Sequence, residues 1–484
     1  MSISSSLTNA LSGLTAATRA AEVVSSNISN AMTEGYGKRE LQLSSNVLQG
    51  RGSGVRVDGV ARQTDPILLG NRRGAEAGLA NADVAARFLS DIESVIGLPG
   101  DPGALTERMT QFESSLIEAA SRPDAPSRLQ AVFQAATRTT QHLNTISDKL
   151  QAERLGADRA IARSVDELNT ALGRVAELNA RIAQFDGTSR DASSLVDQRQ
   201  RVIDGIAELV PLREVQRQNG MVALFTPGGA ILLDGKAAEI GFVAVNTVTP
   251  DMTLGSCALS GLTINAQPIS VDPETGPLAG GGLAGLFQVR DVLAPEMQVR
   301  ADAVARDLIE RFADPAVDAT LGPGDPGLFT DAGSALVPAD ELGLAGRISV
   351  NALVDPAAGG AYWRLRDGLG AAVPGEVGNA TLLNAQADAL GAERIPASGG
   401  FAVARSGIGL SGDFLSGVSV SANDAAMRQG FNRAQTDTLV AAELRDGVDT
   451  DDELQKLLIV ERAFAANARV IATVDDMIQT LLGL

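Results

Sequence analysis

The stretch LSGLTAATRAAEVVSSNISNAMTEGYGKRE, residues 11–40, holds a helical rhythm that stops abruptly among asparagines and glycines. Counted from the chain start, Ile3, Leu7, Ala10, Leu14, Ala17, Ala21, Val24 and Ile28 alternate spacings of four and three, a heptad seam. A seam this rich in alanine permits close approach but buries little area, so the helix needs a partner. The opposite end supplies one. Leu457, Val460, Phe464, Asn467, Ile471, Val474, Ile478 and Leu481 keep the same rhythm, with Asn467 as a polar interruption. Two such helices, each about 40 Å long, are expected to pair. Beyond Ile28, the Asn/Gly-rich SNISNAMTEGYGKRE predicts a helix exit, with Asn30 or Gly35 taking left-handed angles and Tyr36 as a packing anchor.

Bulk composition narrows the function classes. The 484 residues, 44% of them hydrophobic, are enough for two to four domains with a sizeable core. Aromatics make up only 3%, so that core is built from Ala, Leu, Val and Ile. A net charge of -19 argues against nucleic acid and anionic membrane surfaces as partners. One histidine and one cysteine leave no disulfide, no His/Cys metal cluster and no familiar catalytic set, so neither a cofactor nor a catalytic residue is expected. No apolar run spans a membrane, and MSISSSLTNALSGL lacks the pattern of a cleaved secretory signal.

Between the ends, the predicted fold is mainly α with a β-rich insert. The paired, coiled-coil-like ends cover 1–40 and 450–484. A discontinuous helical and extended domain takes 41–211, 282–312 and 377–449. The β-rich insert covers 212–281, and a mixed loop and strand segment 313–376. Within 41–70, LQLSS and GVRVDGVAR alternate around glycines at 50, 52, 54 and 59, which predicts a short hairpin. Helical pattern from 73 to 185 breaks at GLPGDPG (97–103) and SRPDAPS (121–127). Its last part, Val165, Leu168, Leu172, Val175, Leu178, Ile182 and Phe185, forms a bundle stripe, followed by a helix in SSLVDQRQRVIDGIAELV. Asn219 and Gly220 then predict a hairpin turn. Helices are expected again at 377–391 and from about 422.

Each chemical candidate has a plainer reading. His142 lies on a probable helix without a triad partner and reads as a surface or packing histidine; Cys257 reads as an unpaired thiol. GGGLAG, 280–285, fits a strand-to-helix linker better than a phosphate loop. DGVDTDDE, 446–453, lacks calcium-loop spacing and reads as a helix start, with Thr450 and Glu453 as a capping box.

These ends resemble the rod, hook and junction family of bacterial flagellar axial proteins. The motif positions are Asn27, Ile28, Asn30, Gly35 and Tyr36 at one end, and Arg462, Ala463, Phe464, Asn467, Ala468, Ile471 and Leu481 at the other. Leu195, Asp197, Gln198 and Arg199, with the Asn219–Gly220 turn, ILLDG and GGLAGLFQVRD, look like the junction branch rather than hook or distal rod. The chain departs from the family pattern at Gly37, where Ser or Thr is usual, and at Phe464, where Tyr is usual. The resemblance implies a structural adaptor of the hook–filament junction, without catalysis. It implies export through the flagellar type III apparatus, aided by a cytoplasmic chaperone, to the extracellular flagellum. There a homo-oligomeric ring would sit with hook protein below and a second junction protein above. Its assembly interface would be Ile3, Leu7, Leu14, Val24, Ile28, Leu457, Val460, Phe464, Ile471, Val474, Ile478 and Leu481. A hook or distal rod protein is the nearer alternative. A secreted enzyme with axial-type ends is the remote one, and a single histidine denies it an HExxH helix.

Overall fold

The first and last helices lie against each other, and everything between them is one long excursion. In the computed structural model, which describes residues 3–33, 35–48, 51–185 and 192–483, helix α1 spans Ile3–Asn30. Its seam faces inward as the spacing predicts: Ala10, Ala17 and Val24 are buried, Ile3, Leu14, Ala21 and Ile28 are half-buried, and Leu7 is exposed. The chain then leaves as a two-stranded antiparallel ribbon, β1 (Lys38–Leu48) and β2 (Arg51–Gln63). This ribbon is longer than the short hairpin expected from sequence, because the alternation continues through the glycines. Gly50, one of the expected turn residues, lies outside the described residues.

Helices α2 (Pro66–Ile96), α3 (Leu105–Ser121), α4 (Pro126–Ala183) and α5 (Ser193–Leu209) follow. Pro66 and Pro126 occupy first-turn positions, where a missing N–H costs nothing, and Asp65 caps α2 by accepting from the Ile67 and Leu68 amides. The 58 residues of α4 extend roughly 87 Å and link two cores. One core gathers the ends of α2 and α3 with the first half of α4, and its centre is Phe112, Phe312 and Phe329, with ring centroids 5.1–5.6 Å apart. The other packs Val165, Leu168, Leu172 and Val175 of the predicted stripe against α5 and the β-rich insert; Leu178 and Ile182 are buried further along, and Phe185, half-buried, lies beyond the helix end.

The insert holds a four-stranded antiparallel sheet, β3 (Arg213–Gln216), β4 (Val222–Phe225), β5 (Ile231–Asp234) and β6 (Lys236–Ala237). A three-stranded one follows: β7 (Ile240–Gly241), β8 (Leu262–Ile264) and β9 (Gln267–Ile269). Asn219 (φ 58°) and Gly220 (φ 68°) both take the left-handed region between β3 and β4, as the Asn-Gly signal predicts. Gly281 precedes α6 (Gly282–Gln288), which passes through a π turn at Val289–Leu293 into α7 (Ala294–Phe312). That turn points Arg290 inward. The wholly buried guanidinium donates to Asp158 Oδ1 at 2.7 Å and Ser260 O at 2.9 Å, and lies over the Phe287 ring at 4.8 Å. Asp158 in turn accepts from Val245 N at 2.8 Å, so one buried pair fastens the loop before β8 onto α4.

Short strands β10 (Phe329–Asp331) and β11 (Ile348–Val350) and helices α8 (Arg364–Asp367) and α9 (Thr381–Gly391) pack on the first core. Helix α10 runs from Gly407 to Asp446, starting fifteen residues before the expected 422. Gly407, Gly409, Gly412 and Gly417 obscure its start, since glycine is a poor helix former. Burial of Leu410, Phe414, Leu415 and Val418, and the Ser406 cap on Gly409 N, outweigh that penalty. Helix α11, Thr450–Leu482, returns along α1. Cys257 is exposed, and His142 is half-buried on α4, its Nε2 3.3 Å from Ile96 O.

Candidate assembly interface

Close approach of α1 and α11 is set at Gly13, where an added Cβ would fall 2.7–2.9 Å from the Asn467 amide. The polar break in the second seam therefore sits over the one glycine of the first helix, and its Nδ2 is satisfied by Ala463 O at 2.9 Å. Gly13→Leu would wedge the pair apart at a cost of about 1–3 kcal/mol. We expect α1 and α11 to become protease-sensitive in this variant while the long-helix core stays resistant; protected helices would show that Gly13 does not set the approach.

Asn27 ties the helix pair to the chain that leaves it. Its Nδ2 donates to Arg39 O and to Glu453 Oε2, both at 2.9 Å, and its Oδ1 accepts from Tyr36 OH at 2.9 Å and Arg39 N at 3.0 Å. Asn27 and Glu453 are each 1% exposed, so this fully used amide is the polar knot of the region. Glu453 also pairs with Lys456 at 2.7 Å, a hydrogen bond that raises the lysine pKa. The expected capping box is thus not formed: Asp449 caps α11 through the amides of Asp451 and Asp452, because Glu453 is drawn away to Asn27. Tyr36 is the packing anchor that sequence suggested, with the Arg39 guanidinium 4.9 Å from its ring centroid. Of the two left-handed candidates Gly35 takes the role, at φ 73°; Asn30 ends α1 and bonds back to Ser26 O.

The interior motif divides by face of α5. Asp197 Oδ1 accepts from Arg62 Nε at 2.7 Å and Gly37 N at 3.2 Å, and Oδ2 accepts from Arg39 Nη2 at 3.0 Å, fixing the ribbon base to α5. A side chain at position 37 would fall 2.2 Å from Arg62 Nε, so Gly37 leaves the space that Arg62 occupies. Arg199 points the other way and donates to Asn179 Oδ1 at 2.9 Å and Gly220 O at 2.7 Å, holding the Asn-Gly turn; burial lowers its pKa. Gln198 is half-buried and belongs to neither network. The sequence reading missed Gln200, which with Glu214 and Asp204 surrounds the buried Arg73. It also missed Arg72, whose charge burial opposes but which Asp204, Glu76 and Glu443 hold, raising its pKa and joining α2, α5 and α10.

The seam is only half covered within one chain. Leu457, Val460, Ile471 and Ile478 are half-buried and Val474 is buried, but Phe464 is 44% and Leu481 60% exposed. Among the described residues no helix is long and apolar enough to cross a membrane, and no group of His, Cys, Asp or Glu is placed to hold a metal ion.

Three stretches of the chain match protein-family models. These are the flagellar basal body rod protein over residues 7–36, the flagellar hook-associated protein FlgK helical domain over 89–316, and the C-terminal part of the flagellar basal body rod FlgEFG proteins over 445–484. At its two ends the chain is similar to flagellar basal body rod proteins. By its interior it is a relative of flagellar hook-associated protein 1. The protein of that name from Escherichia coli K12 is 26% identical over 258 residues, covering 52% of this chain and 47% of the relative. That from Salmonella typhimurium LT2 is 28% identical over 244 residues, covering 49% and 44%. The Bacillus subtilis 168 protein is 23% identical over 511 residues, covering 98% and 97%. The chain therefore matches about half the length of the two enteric relatives and nearly all of the Bacillus one. The solved flagellar hook junction protein FlgK from Burkholderia pseudomallei is 19% identical, with a TM-score of 0.43 over 54% of this chain and 46% of that one.

Proposed function

We propose that this chain is a structural adaptor of the hook–filament junction, assembling through α1 and α11 into a ring with copies of itself. The observation behind this reading is the uncovered apolar surface of α11. Leu458, Ile459, Phe464, Leu481 and Leu482 are 44–83% exposed although α1 already lies on the helix, and the unmet area calls for neighbouring helices. Under this reading the heptad residues from Ile3 to Ile28 and Leu457 to Leu481 are the assembly interface, and Asn27, Asn30, Gly35, Tyr36, Asp197 and Arg199 set the angle at which the body leaves it. The helical body and β-rich insert, 41–449, form the outer domains. Hook protein below and a second junction protein above are the axial neighbours, reached after type III export with a chaperone. The interior match favours the junction over hook or rod. The test removes residues 451–484: hooks are expected to remain complete but bare of filament, and filaments of normal number would overturn the adaptor reading.

A further inference from the structure

Between the ribbon base, α5 and β3 lies an open cleft of about 610 Å³. Its walls include Arg62, Arg73, Arg199 and Arg213 against a single carboxylate, Glu214. In a chain with 59 acidic and 40 basic side chains, this is a local reversal of sign. Arg62 is neutralised by Asp197, and Arg73 by Asp204 and Glu214. Arg199 and Arg213 have no carboxylate at ion-pair distance among the described residues. Arg199 is 2% exposed, its Nη1 is used by neutral oxygens, and its Nε has no hydrogen-bond partner. Its burial is offset only by the more distant Glu214, a carboxylate that already pairs with Arg73. Arg213 is exposed at the cleft, and Ile67 adds an apolar side chain 76% exposed.

The complementary surface is in the same chain. At the elbow between α10 and α11, Asp446, Asp449, Asp451 and Asp452 are all exposed. A smaller hollow beside this elbow, lined by Glu443 and Asp446, shares Arg62, Thr64, Leu69 and Gln200 with the cleft. Cleft and elbow thus flank one common wall. An elbow of one copy seated in the cleft of the next is a heterologous contact, the kind from which rings close.

We propose that this cleft receives the acidic elbow, residues 446–452, of a second copy of this chain. The contact rests on the ring-forming reading above and names a second site, outside the terminal helices, where copies touch. Charge complementarity of this kind sets register and excludes wrong pairings.

The test is a disulfide trap in the full chain. Cys257→Ser removes the native thiol, and Ile67→Cys with Asp451→Cys, both exposed, place one thiol on each surface. Hook–filament preparations are oxidised mildly and run without reductant. Covalent dimers and higher multimers are expected, and Arg213→Glu in the same background should abolish most of them. Monomers alone, or only an internal disulfide, in preparations that contain the chain would overturn the elbow contact and leave the adaptor reading intact. A ladder undiminished by Arg213→Glu would likewise overturn it. Absence of the chain from the preparations would overturn both.

Discussion

Asp197→Ala is expected to release the β1–β2 ribbon from the body while the two cores stay folded. The carboxylate, its side chain 8% exposed, serves two arginines that are themselves 14% and 15% exposed, and a backbone amide besides. Removing it leaves both guanidinium groups half-desolvated without a counter-charge, with only neutral oxygens of Ser26, Thr64 and Gly35 in reach, which costs about 3–5 kcal/mol for a buried pair and less as water enters. Since 1.4 kcal/mol is a factor of ten, even the lower figure raises local opening more than about a hundredfold. Limited trypsin digestion should then cut at Arg56 well before α4 is attacked, with thermal unfolding of the body little changed. Equal cleavage in parent and variant would mean that the ribbon is held by α1 alone.

The second large effect is expected at Arg290. Arg290→Met keeps most of the volume but strands Asp158, which is wholly buried, with Val245 N as its remaining donor. Stability should fall by about 3–5 kcal/mol. Adding Asp158→Asn should recover a good part of that loss, because a neutral amide is far cheaper to bury than an unpaired carboxylate. Denaturant midpoints of the two variants provide the comparison, and hydrogen exchange should quicken first across 243–261, the loop that the pair fastens. If the double variant is no more stable than the single one, the loss does not come from the stranded Asp158 but from packing against Phe242 and Phe287 and from the broken pair with Asp291.

What could be read from the sequence was what repeats locally. The Asn219–Gly220 turn follows from one dipeptide and the stripe from spacing, buried from Val165 to Ile182 with Phe185 half-buried; of the heptad seams Leu7, Phe464 and Leu481 stay exposed. The start of α10 was hidden because its glycines oppose helix formation and the burial that overrides them comes from distant residues. The knots were also illegible. Asp197 meets Arg62 135 positions away, Arg73 meets Asp204 131 away, and Asn27 meets Glu453 426 away, with no periodicity to signal any of them. Glu453 shows the hazard most clearly: its spacing from Thr450 suggested a local cap, while the fold uses it across the whole chain.

That last contact makes completeness of the chain a structural property. Asn27 can meet its hydrogen bonds to Tyr36 and Arg39 soon after residues 1–40 exist, but the fourth must wait for an acceptor 426 positions later. A polypeptide cut short before α11 leaves the root of α1 uncovered and takes from Asn27 its Glu453 acceptor. The pairing of α1 with α11 thereby makes the polar base of the first helix depend on a residue encoded 426 positions later.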